Sequence, residues 1–171
     1  MHFVTLERMA LKDGLLAEYD HEMAATRRLL ERIPEDKLAW TPHARSRSLG
    51  ALATHFGNIL APSDLIFQAT SFDLSSAPAQ ANARGSLAEI LEHFDGAVAK
   101  LRAALDRTDA EYQAMWTLKR DGHEVFSMPR ISMFRTLVLS HLIHHRGQLS
   151  VYLRLNDIPV PAIYGPSADE G

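Results

Sequence analysis

The sequence predicts an all-α chain: a four-helix bundle with one small β-hairpin between its third and fourth helices. Three observations carry this. Four segments repeat apolar residues at helical spacing. Turn-forming residues separate them, at Pro34, Pro42, residues 71–85 and the Asp121-Gly122 pair. With 46% hydrophobic and 23% charged residues in 171 positions, the chain can bury a full core as a single domain, residues 1–171, without disulfides.

The first helix is expected over residues 13–32, with Leu16, Tyr19, Met23, Leu30 and Ile33 inward, Asp13 capping its start and Pro34 closing it. Residues 38–42 form a short linker, and Arg45-Ser46-Arg47-Ser48 leads into the second helix, residues 48–66. There Leu52, His55, Ile59 and Ile66 share one face, with Leu49, Phe56 and Leu60 beside it, so His55 interrupts an apolar seam. Pro62-Ser63-Asp64 should kink or restart that helix. Residues 71–85, rich in Ser, Ala, Pro, Gln, Asn and Gly, read as a loop crossing the bundle. Ser86 caps a third helix to about Arg107, with Leu87, Ile90, Leu91, Phe94, Val98, Leu101 and Leu105 inward. His93 adjoins that stripe without joining it and reads as a surface or boundary residue.

Residues 116–126 read as a β-hairpin, because Asp121-Gly122 tolerates the positive φ of a type I′ turn. A two-residue loop pairs Lys119 with Glu124, sets Leu118 opposite Val125 and brings Trp116 near Ser127. Such a hairpin either lays an apolar flap over a mouth of the bundle or is an exposed decoration. The fourth helix is expected over residues 130–156. Its inward heptad positions are Ile131, Phe134, Val138, His141, His145, Gln148, Tyr152 and Leu155, a seam that starts apolar and turns polar midway.

That polar half carries the chemistry. His141 and His145 lie one turn apart and diverge by about 40° around the helix, the separation two ligands of one metal ion need. His144 points elsewhere, beside Leu137 and Val151. Histidines at this spacing also occur as hydrogen-bonded core residues or exposed ones, but His55 brings a third inward imidazole from another helix. Three neutral imidazoles would leave an open coordination position, as in a catalytic rather than a structural site. Water or a thiol bound there would be acidified toward neutral pH and become a nucleophile, which suits thiol transfer or hydrolysis. Gln148 and Tyr152 either orient a ligand or contact substrate, or else form a buried hydrogen bond between helices. No catalytic base is nominated: Tyr152, Asp64 and Glu124 depend on how the chain folds.

Composition excludes several classes. The absence of cysteine removes disulfides, thiolate metal sites and a cysteine nucleophile, so any thiol chemistry needs an external thiol. A net charge of -3, with arginines single or in short pairs such as Arg27-Arg28, offers no basic stripe for nucleic acid and no polybasic membrane patch. Glu7, Arg8, Lys12 and Asp13 interrupt the N-terminal apolar residues, which excludes a secretory signal or membrane span there and makes a cytoplasmic location the expectation.

The segment Leu52-Ala53-Thr54-His55, followed by His141-Leu142-Ile143-His144-His145-Arg146-Gly147-Gln148 and Tyr152-Leu153-Arg154, resembles the DinB-like (DinB/YfiT-like) superfamily over most of the chain. The His-His-Arg-Gly-Gln block is its most specific part, and the closing Pro159-Val160-Pro161-Ala162-Ile163-Tyr164-Gly165-Pro166 is similar to the tail of one branch. The resemblance implies an up-down-down-up four-helix bundle that holds a divalent metal, commonly zinc or nickel, through one histidine of helix two and two of helix four. Here those are His55, His141 and His145. It also implies a homodimer, for which the stripe Met133, Leu137 and Val151 would offer a surface. Characterised members include S-transferases and isomerases that use low-molecular-weight thiols, with hydrolase activity proposed for others. The functional expectation is therefore a metal-dependent transferase or hydrolase acting on a small molecule; the alternative is a non-catalytic metal-binding, sensing or structural dimeric protein.

Overall fold

Helix α1 (Leu11–Leu30) forms because Leu15, Tyr19, Met23, Leu29 and Leu30 fall on one face, and all five are buried. Its start differs from the expected cap: Asp13 lies inside the first turn, and the Leu11 N–H is satisfied by the Asp109 carboxylate at 3.0 Å. A carboxylate delivered by the fold fills the role of a local one. The computed structural model describes residues 10–77 and 83–170; residues 1–9, with Glu7 and Arg8, and 78–82, within the expected crossover, lie outside the described residues.

Helix α2 (Leu49–Leu60) starts where the Ser48 hydroxyl accepts from the Ala51 N–H at 3.2 Å, and it is buried on nearly every side. It stops before Pro62, and a short α3 (Leu65–Gln68) resumes beyond it. Helix α4 (Leu87–Ala104) is capped by Ser86, whose side chain accepts from Glu89. The two helices approach closely at Gly57, where a Cβ would lie 2.2 Å from His93 Cδ2. His93 sits half-buried in that contact with Nε2 2.9 Å from Asn58 Oδ1. A short α5 (Asp109–Gln113), not anticipated, rests on a reciprocal cap between Thr108 and Glu111; the Thr-x-x-Glu spacing that signals it is plain in the chain. Helix α1 packs against α4, and α2 packs against α4.

A strand, β1 (Ser71–Asp73), and a 3-10 turn, Leu74–Ser76, replace the first part of the expected loop. β1 runs parallel to β2 (Met115–Arg120), which pairs antiparallel with β3 (His123–Pro129) across Asp121-Gly122, both at positive φ. The Asp73 carboxylate accepts from the N–H groups of Ser75, Asp121 and Gly122, so β1 clamps the hairpin turn and its carboxyl is held below the ordinary range by the Gly122 and Ser75 bonds. Only the Lys119–Glu124 pair keeps the expected register. An irregularity after Leu118 sets Leu118 opposite Phe126 rather than Val125 and Trp116 opposite Met128, while Ser127 Oγ still donates to the Trp116 carbonyl at 3.3 Å, near it as expected. Val125 is 51% exposed as a result, while Trp116 and Leu118 turn inward. With Pro62, Leu65, Ile66 and Leu137 they line a cavity of about 120 Å³, so the apolar face of the sheet covers the α2–α3 junction.

The last helical segment comprises α6 (Arg130–Phe134), a π-helical turn (Arg135–Leu139) and α7 (Ser140–Arg154), the last packing on both α1 and α2. The π turn corrects the expected seam. Phe134 and Val138 are buried, but beyond them the fully buried positions are Leu142, Arg146, Leu149 and Leu153, each one residue later than His141, His145, Gln148 and Tyr152. A wider turn adds one residue to the ladder and rotates all that follows by about 100°. Met133 is fully buried, which removes it from any boundary stripe. No helix among the described residues is long and apolar enough to cross a membrane.

Candidate metal centre

The rotation of α7 places His141 and His145 on the flank of the core facing α2, half-buried, instead of inside it. His55 meets them from α2 and is 4% exposed. Ring centroids are 4.6 Å apart for His55 and His145, 5.3 Å for His55 and His141, and 4.7 Å for His141 and His145. One nitrogen from each lies within 4.8 Å of the other two, the one such cluster of potential ligands among the described residues. Clefts of about 320 Å³ beside Lys12 and Glu111 and about 240 Å³ beside Val151 and Arg154 gather no comparable set. Donor chemistry, not volume, marks the site.

One hydrogen bond sets the tautomer of His145. His145 Nδ1 meets the Gln148 Oε1 acceptor at 2.6 Å and therefore carries the proton, which leaves Nε2 with a lone pair. The His141 Nε2 lies 2.9 Å from His145 Nε2, within hydrogen-bond distance, so one proton at most sits between the two nitrogens. Tetrahedral coordination at ~2.0–2.1 Å would hold ligand nitrogens about 3.3 Å apart, close to this spacing. His55 Nδ1 is buried with no hydrogen-bond partner, so this imidazole is not an ordinary core histidine held by donors and acceptors.

Electrostatics keep the cluster in its ligating form. Burial pushes His55 down to about 4, helped by the positive charge of Arg47 and by its two imidazole neighbours. Burial also lowers His141 and His145, opposed by the bonds to Leu137 and Gln148 respectively. All three are neutral at pH 7, with their lone pairs available.

His144 is exposed and stacks edge-on against His145 at 5.0 Å, outside the converging set. Gln148 is exposed and Tyr152 half-buried, with its ring edge-on to Trp40 at 5.5 Å, so neither forms a buried bond between helices. The other carboxylates considered as bases are engaged elsewhere: Asp64 pairs with Lys100 and Gln68, and Glu124 lies exposed on β3 opposite Lys119. Sequence reasoning missed the role of Arg146. It is 1% exposed and donates to the Glu22 carboxylate at 2.5 Å, the Glu22 carbonyl at 3.1 Å, Thr26 Oγ1 at 3.3 Å and the Tyr164 hydroxyl. No local pattern pairs residues 124 positions apart; an arginine inside a helical core stripe was the available signal.

A mostly helical chain that gathers three imidazoles from two helices thus defines a class, a helical protein with a candidate tri-histidine metal centre. The chain belongs to the DinB family, whose model matches residues 9–171. The uncharacterized protein YrdA of Bacillus subtilis strain 168 is 28% identical over 162 residues, covering 92% of this chain and 90% of that protein. Two crystal structures share the fold. A DinB-like protein from Bacillus cereus superposes with a TM-score of 0.71 at 22% identity, covering 89% of this chain and 97% of its own. The DinB-like protein YjoA of Bacillus subtilis gives 0.69 at 18% identity, with 90% and 99% covered.

Proposed function

We propose that this protein is a metal-dependent enzyme in which His55, His141 and His145 hold one divalent ion, zinc or nickel, and that it transfers or hydrolyses a small molecule through an activated water or low-molecular-weight thiol. The observation that carries the reading is the convergence of three imidazoles from two helices, one nitrogen of each within 4.8 Å of the other two, with the buried His55 Nδ1 left without a hydrogen-bond partner. A divalent ion there would supply the charge that acidifies a coordinated water or thiol toward neutral pH. Gln148 fixes the His145 ring and its tautomer. Three neutral protein ligands leave room for an exchangeable fourth. The same proposal takes α1, α2, α4 and α7 as an up-down-down-up four-helix bundle. It also takes the protein as a homodimer, supported by Val151 and Leu155, which are 55% and 59% exposed on one face of α7.

Elemental analysis of protein purified without chelator is expected to give about one divalent ion per chain. His55→Ala, His141→Ala and His145→Ala each lower occupancy, and His144→Ala keeps it. Turnover should appear in a screen of thiols with electrophiles, and of esters and amides, and vanish on chelation. A fully metallated protein that is closed to exogenous ligands and inactive across the screen would move the reading to a structural or sensing role.

A further inference from the structure

The connection between α1 and α2 has a construction of its own. Residues 41–47 are all exposed, yet the loop is stapled at its base by Leu49 N–H to the Trp40 carbonyl, 2.8 Å, and Gly50 N–H to the Leu38 carbonyl, 2.9 Å. Within it Thr41 Oγ1 donates to the His43 carbonyl, and the N–H groups of Arg45 and Ser46 bond His43 Nδ1 and its carbonyl. An exposed loop held this way is shaped by its own polar bonds, with little apolar packing to hold it. It carries His43, Arg45 and Arg47 and no acidic residue.

Its base stands on the histidine face. Trp40 meets Tyr152, and Tyr152 follows His145 by seven residues, two turns that return to within about 20° of the same direction. Arg47 immediately precedes the Ser48 cap of α2, and the helix rises about 9 Å from Leu49 to His55. That rise is the length of a short organic molecule reaching from the loop to the imidazoles.

Arg47 is also unpaired. Arg27, Arg32, Arg102, Arg135, Arg146 and Arg154 each bind a carboxylate, whereas Arg47 has no ion pair or side-chain hydrogen bond among the described residues. Among the described residues no carboxylate forms an ion pair with Arg47 or with any of the three imidazoles. A site of neutral ligands, flanked by a free guanidinium and uncompensated by acid, favours an anion.

We infer that the 40–48 loop selects the substrate of the tri-histidine site, with Arg47 binding the carboxylate of a small molecule whose reacting group lies at the imidazoles; this rests on the metal-centre reading above. A planar fork with one positive charge matches a single carboxylate. Arg47 acts as a specificity-determining residue, and the Trp40–Tyr152 edge bounds the side from which the substrate enters.

The test uses the full chain loaded with Co(II), whose absorption reports both metal binding and thiolate coordination. Mercaptopropionate, mercaptoethanol and mercaptoethylamine are titrated as anionic, neutral and cationic probes of similar length. Wild type is expected to bind mercaptopropionate about fivefold more tightly than mercaptoethanol, the scale of an exposed charge pair, with mercaptoethylamine weakest. In Arg47→Gln the anionic preference collapses while mercaptoethanol binding stays, Arg47→Lys keeps part of it, and Arg120→Gln, an exposed arginine at the end of β2, keeps it all. A preference absent from wild type, or intact in Arg47→Gln, overturns the inference while leaving the metal centre standing. Failure of wild type to bind Co(II) at all overturns both.

Discussion

Two polar clusters lie side by side on α7 and are built on opposite principles. His145 and Arg146 are adjacent, about 100° apart around the helix, so one turns to α2 and the other to α1. Around Arg146 both Nη groups are taken up: Glu22, Thr26 and Tyr164 receive their N–H groups, Tyr164 donates in turn to the Glu22 carboxylate, and no Arg146 nitrogen is among the buried atoms without a partner. Around His145 the accounting is incomplete: His141 and His145 have only each other at their Nε2 atoms, 2.9 Å apart, and His55 Nδ1 has no partner. A closed polar network fixes how helices and the C-terminal tail dock, whereas an open one stores binding capacity for something outside the chain.

Breaking the closed network should have the largest effect. Arg146→Ala leaves the Glu22 carboxylate buried without its cation, an expected loss of about 3–5 kcal/mol in urea denaturation. Replacing both ends with apolar residues, Arg146→Met with Glu22→Leu, should recover most of it. If the single variant costs under about 1 kcal/mol, water reaches Glu22 and the network is not closed.

Acid should act through the open cluster instead. His55 in the unfolded chain takes up its proton near the ordinary 6.5 and in the fold only near 4, so between those values the unfolded state binds more protons and stability rises with pH. Metal-free protein is thus expected to lose about 3 kcal/mol as pH falls from 6.5 to 4, the full span of that shift. Denaturation midpoints across this range check it. His55→Leu should flatten the curve.

The same variant sharpens the contrast at neutral pH. Removing an unpartnered buried nitrogen in favour of an aliphatic side chain should stabilise metal-free protein by about 1–2 kcal/mol while abolishing metal uptake. A destabilised His55→Leu would mean that the imidazole is a structural group after all. The smallest effect is expected at Gln148, which is exposed and touches the cluster only through His145. Gln148→Ala should weaken metal affinity about tenfold, by competition with a chelator, and leave the denaturation midpoint in place.

How much of this was legible in the chain follows from the range of each interaction. The cores of α1, α2 and α4, the Ser48 and Ser86 caps, the break at Pro62 and the Asp121-Gly122 turn all rest on neighbours within a few residues, and each is found where that local chemistry puts it. β1 is different, because Ser71-Phe72-Asp73 becomes a strand only when β2 arrives from 46 residues away to pair with it. The hairpin register failed for a related reason: the turn is local, but burial of Trp116 and Leu118 against the α2–α3 junction selects the irregularity that exposes Val125.

The candidate site divides in the same way. The sequence by itself determined that His141 and His145 would project from one helix about 40° apart and that His55 would lie in the apolar seam of another, because 3.6 residues per turn sets the angle between residues four apart. Only the tertiary structure decided that a π turn rotates α7 by one residue, buries Arg146 in the stripe the histidines were expected to fill and leaves the imidazoles half open beside Gln148. One extra residue in a turn is chosen by the packing of α1 and α2 against α7, a long-range balance that no local period records.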